Sequence, residues 1–75
     1  MIEKKIRLTD TNDVKDFVRA AEQCDFDVDI CRDCTVIDAK SIMGVLYLGL
    51  SNDLIVKYRG QNAGFEHAIS KYVVA

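Results

Sequence analysis

The chain has 75 residues, 49% apolar and 29% charged, proportions that predict a single globular domain over residues 1–75 and exclude a disordered segment. Ten basic against twelve acidic side chains leave a net charge of −2, which argues against a nucleic-acid partner or a polybasic membrane contact. The longest apolar stretch, Ile42 to Leu50, is nine residues with two glycines inside it, far short of the ~20 that cross a bilayer.

The opening residues Met1 to Arg7 have no apolar core behind their charges, so no signal peptide is expected there. From Glu3 to Leu8, Ile6 and Leu8 alternate with Lys5 and Arg7, which predicts a half-buried strand. Thr9 to Asp13 supplies several side chains able to cap a helix. Val14, Phe17, Val18, Ala21 and Cys24 then fall on one helical stripe, which places Cys24 in the core. Phe26, Val28 and Ile30 alternate with Asp25, Asp27 and Asp29, a strand with one acidic face. After a turn near Arg32, Asp33 and Cys34, the residues Thr35, Ile37 and Ala39 keep the inward parity on a further strand. That turn lacks Gly, so its register is open by two residues, and either choice keeps the same faces inward.

Ser41 to Leu48 reads as a short helix with Ser41 at the N-cap. Leu54, Val56 and Tyr58 alternate with Ile55, Lys57 and Arg59, a fourth strand. Beyond the Gly60 to Gly64 loop, Phe65, Ala68, Ile69, Tyr72 and Val73 return to helical spacing. The order βαββαβα predicts an α+β fold, a four-stranded antiparallel sheet covered on one face by three helices.

Few residues carry chemistry. Asp25, Asp27, Asp29 and Asp33 stand at calcium-loop spacing, but Ile30 replaces the required Gly and Val36 the closing Glu. Cys31 and Cys34 form a lone CxxC in a hairpin, with neither a second ligand pair for zinc nor a helix N-terminus to lower a thiol pKa. Two exposed thiols near a turn is the default reading, and a metal or redox module on Cys31 and Cys34 is the alternative. Three cysteines, an odd count without secretory context, predict reduced thiols in the cytoplasm. His67, the only histidine, falls on the solvated side of the last helix, with no nucleophile or orienting carboxylate assignable to it. There is no Gly-rich phosphate loop, and no metal, cofactor or catalytic residue is expected.

Ile42 to Leu48 is the informative stretch. A short helix buries one stripe, here Val45 and Leu48 with help from Leu50. Some of Ile42, Met43, Leu46 and Tyr47 must then be exposed, and an exposed apolar cluster containing Met commonly marks a docking surface. The plain alternative is a helix that is simply well buried.

The run Asp38-Ala39-Lys40-Ser41-Ile42-Met43-Gly44-Val45-Leu46-Tyr47-Leu48-Gly49-Leu50 resembles the segment around the regulatory serine of HPr, the histidine-containing phosphocarrier of the bacterial sugar phosphotransferase system. Its Ala39 to Val45 portion is the form similar to HPr of Gram-positive bacteria, and the likeness runs without a gap back to Phe17 and Val18. The resemblance implies an open-faced β-sandwich. It implies that Ser41 is the position a dedicated kinase phosphorylates, and that Ile42, Met43 and Leu46 are partner-contacting positions. With Lys40 and Tyr47 these form the expected interface to phosphotransferase-system or carbon-regulation proteins. One part of the pattern is missing. The family accepts phosphate on a His in a Gly-Leu-His-x-Arg-Pro loop before the first helix, whereas Thr9 to Asp16 here is about five residues shorter and contains no His, Arg or Pro. The expected function is therefore a non-catalytic, regulatory protein-binding module; a phosphocarrier using another acceptor is the alternative.

Overall fold

A computed structural model describes residues 1–74. Its elements are β1 (Ile2–Arg7), α1 (Thr11–Glu22), β2 (Val28–Arg32), β3 (Thr35–Asp38), α2 (Ile42–Leu48), β4 (Asp53–Tyr58) and α3 (Ala63–Ser70). The strands form one sheet in the order β1-β4-β2-β3, antiparallel at every step. The three helices cover one face and leave the other open, as the element order predicts. No helix among the described residues is long and apolar enough to cross a membrane.

Each element follows from its side chains. Asp10 caps α1 by accepting the Asp13 N–H at 2.9 Å, and the Asp13 carboxylate accepts from Thr9 N–H and Oγ1 at 3.0 and 2.8 Å. These donors hold the Asp13 carboxyl below its usual range. Val14, Phe17, Val18 and Ala21 turn their stripe onto the sheet, with Cys24 buried just beyond the helix. The hairpin turns at Asp33, whose φ of 54° supplies the left-handed residue that the missing Gly would have given. Asn62 caps α3 by accepting the Phe65 N–H at 3.0 Å.

Ile6, Ile30, Leu54 and Val56 from the sheet meet Phe17, Val45, Phe65 and Ile69 from the helices in one core. Tyr58 meets Phe65 edge-on at 5.2 Å, and its hydroxyl leaves the core to donate to Glu66 Oε1 at 3.0 Å. Burial and that carboxylate push the Tyr58 phenol up to about 12.

Four local expectations are corrected. Phe26 precedes β2 and stacks half-buried on Tyr58 at 5.9 Å, so of the three aspartates only Asp29 lies on the sheet. Leu50 is 37% exposed because the chain has already turned at Gly49, whose φ is 91°. Thr35, at the hairpin end of β3, is exposed. Val73 lies outside α3: the chain leaves the helix at Lys71, and Val73 pairs with Ile6 at the edge of β1. Arg7 N–H donates to Tyr72 O and Val74 N–H to Lys5 O, both at 2.9 Å, closing that edge.

Candidate functional site

The connection between β1 and α1 is Leu8, Thr9 and the cap Asp10. Its polar groups are spent on the helix start, and Asp10, Asp13 and Asp16 give this end negative charge. His67 stands exposed on α3, where its backbone carbonyl accepts from Ser70 Oγ at 2.6 Å.

α2 has seven residues, too few to persist alone, and long-range contacts hold it in place. Lys40 Nζ donates to Cys24 O at 3.0 Å, tying the entry of α2 to the end of α1. Arg32 Nη1 donates to Leu48 O at 2.9 Å and so caps the last turn from the hairpin. Gly44 faces β3 so closely that a Cβ there would stand 2.5 Å from Ile37 Cγ2. Val45 and Leu48 are buried beneath.

The outer side of this helix is apolar. Met43 and Tyr47 are each 77% exposed, and Ile42 and Leu46 each 38%. Ser41 opens the helix, exposed, with Oγ accepting the Gly44 N–H at 3.2 Å. Ile42 also lines a recess against α1 with Lys15, Val18, Arg19, Glu22 and Lys40, so the crest has a basic flank. The sequence-predicted residues Lys40, Ser41, Ile42, Met43, Leu46 and Tyr47 thus share one surface, although the Lys40 ammonium is occupied by Cys24 O. The anchoring by Arg32 escaped the sequence; its inward parity at the end of β2 was the available signal.

The cysteine reading is corrected. Cys34 is exposed, but Cys31 is only 6% exposed. It alternates with Ile30 onto the open face, where its small side chain sits between Val36 on β3 and Ile55 on β4. Burial raises the pKa of Cys24. Among the described residues no group of three or more His, Cys, Asp or Glu side chains is arranged to hold a metal ion.

A solved structure of HPr-C-His from Thermoanaerobacter tengcongensis is similar, with a TM-score of 0.77 at 23% identity over 95% of this chain and 93% of that one. The phosphocarrier protein HPr from Bacillus anthracis str. Ames is similar at a TM-score of 0.73 and 21% identity, covering 95% of each chain. At these identities the likeness is one of fold. Comparison with curated proteins gives no match. The family model described as PTS HPr component phosphorylation site matches residues 10–72, most of the sequence. On that match the chain belongs to the HPr phosphocarrier family of the phosphotransferase system.

Proposed function

We propose that this chain is a non-catalytic, regulatory member of its family, working in the cytoplasm, that acts by binding another protein through α2. The observation that carries this is the apolar crest of Ile42, Met43, Leu46 and Tyr47 beside the exposed Ser41. Its partners belong to the phosphotransferase system or to carbon regulation. Phosphorylation of Ser41 controls the contact. A phosphate there adds about −1.5 to −2 charge at a helix start whose first N–H groups lack intrahelical partners. The charge lands at the edge of the crest and changes which partners fit, at little cost to the core.

The β1–α1 connection supports the non-catalytic half of the reading. Phosphoryl transfer to histidine needs a neutral imidazole and a cation beside it. Thr9 to Asp16 offers three carboxylates and a single Lys15 instead. Incubation with phosphoenolpyruvate and enzyme I should leave no acid-labile phosphate on the chain; stoichiometric labelling of His67 overturns this half. Binding titrations against phosphotransferase-system and carbon-regulation proteins of the source cell test the other half. Met43→Asp should weaken the contact at least tenfold, since a few central anchors dominate an interface. Unchanged binding by that variant removes α2 from the contact.

A further inference from the structure

The two edges of the sheet differ. The returning C-terminal residues cover β1 from Lys5 to Arg7, whereas among the described residues β3 has a neighbour on one side only. Ala39 N–H donates to Val28 O at 2.8 Å, and this fixes which way the β3 backbone points. Bonded pairs alternate in an antiparallel ladder, so Ile30–Ile37 and Arg32–Thr35 are the bonded pairs. Val36 therefore turns both its N–H and its C=O outward, as do the Asp38 N–H and the Cys34 C=O. The Asp38 C=O is already taken by Ser41 N–H at 3.0 Å.

Edge strands are usually blunted by shortness, charged side chains, Pro or a bulge. β3, Thr35-Val36-Ile37-Asp38, is short and carries one charge, Asp38 at its end, but it runs in unbroken register without Lys, Pro or a bulge, and Val36 is 61% exposed. The apolar crest lies beside the same edge. Gly44 abuts Ile37, and Tyr47 lines one recess with Thr35.

We propose that two copies of this chain pair through β3, antiparallel about a two-fold axis at Val36, continuing the sheet from one copy into the other. The register is self-complementary. Val36 N–H of each copy reaches Val36 C=O of the other, and Asp38 N–H reaches Cys34 C=O in both directions. Val36 meets Val36 on the open face, Thr35 stands opposite Ile37 on the helix face, and Asp38 opposite Cys34. No like charges are directly opposed. Tyr47 and Met43 of each copy close over the seam.

The exposed parts of Val36, Met43 and Tyr47 supply roughly 400 Å² of apolar surface per copy, below the ~1,200 Å² total of stable interfaces when doubled. The pair is therefore transient and forms at high concentration. This pairing does not depend on the proposed regulatory role. Because it uses Met43 and Tyr47, it competes with a foreign partner for the same crest.

Sedimentation equilibrium from about 10 µM to about 1 mM, a range that spans weak association, tests it. The weight-average mass should rise from 8.4 kDa toward twice that value. Val36→Lys should raise the dissociation constant at least tenfold while leaving the melting midpoint unchanged, and Val73→Lys on the covered edge should leave association intact. A mass fixed at 8.4 kDa throughout overturns the proposal, as does association that survives Val36→Lys. Amide shifts at Val36 and Asp38 that appear only on adding a foreign protein assign the edge to that partner and overturn self-pairing.

Discussion

Gly44→Ala sets two effects of opposite sign against each other. Ala is favoured over Gly in a helix by about 0.8–1.0 kcal/mol, so propensity alone predicts a gain. The new methyl would stand 2.5 Å from Ile37 Cγ2 and 3.3 Å from Ser41 Oγ, where carbon atoms ordinarily rest ~3.5–4.0 Å apart. Cγ2 branches at the stiff Cβ of Ile37 and cannot swing clear without a change of χ1. Overpacking of this kind costs about 1–3 kcal/mol, which at least cancels the propensity gain. The expected net loss is about 0–2 kcal/mol, a fall of up to roughly 16 °C in the thermal midpoint of a domain this size. Circular-dichroism melts of a double-mutant cycle separate the two effects. In an Ile37→Ala background the clash is gone, and Gly44→Ala should then stabilise by about 0.5–1 kcal/mol. A Gly44→Ala midpoint above wild type would refute the claim that close approach to β3 positions α2.

The two sides of α2 should respond differently to truncation: Leu48→Ala should lose about 2–5 kcal/mol in denaturant unfolding, while Met43→Ser should stay within ~0.5 kcal/mol. If both unfold alike, α2 is plain core. Tyr58 ties stability to alkaline pH. Its folded pKa of about 12 lies above its ordinary value of 10.0, so its contribution is complete below pH 10 and is lost as pH rises toward 12. Tyr58→Phe should flatten that decline in melts over the same range, and an unchanged slope would exclude Tyr58 as its source. Among the thiols, Cys34 should react with a thiol reagent at once, and Cys24 and Cys31 only as fast as the protein opens. Prompt labelling of Cys31, read by mass spectrometry, would contradict its burial.

Alternation and helical spacing made most elements legible. Every residue of the α1 stripe is buried, and Val45 and Leu48 sit inward on α2 while Ile42, Met43, Leu46 and Tyr47 face out. That division was readable because a seven-residue helix lying on a sheet has room for one buried stripe. Cys31 was misread because parity places a side chain on a face and says nothing of its neighbours; Val36 and Ile55 come from distant parts of the chain. Val73 kept helical spacing by coincidence of period, and its bridge to Ile6 depends on a contact across the whole chain. The caps by Arg32 and Lys40, and the close approach at Gly44, rest on tertiary neighbours in the same way. The resemblance, not periodicity, is the source of the proposed partners and of the proposed role of Ser41.

The strand order has a kinetic consequence. Only β2 and β3 are neighbours in both sequence and space; β1 waits for β4, with Arg7 beside Asp53 across most of the chain. Non-local closure of this kind slows folding, so the hairpin and its helices should organise first and β1 should dock late. Destabilising changes in β1 would then mainly quicken unfolding and leave the refolding rate nearly unchanged, which stopped-flow measurements on Ile6→Val can decide. On a ribosome the hairpin would form while its second partner, β4, is still being made. Until β4 arrives, β2 has a bare side as well as β3, and the nascent chain passes through an interval in which strand pairing with the wrong neighbour is open on both flanks.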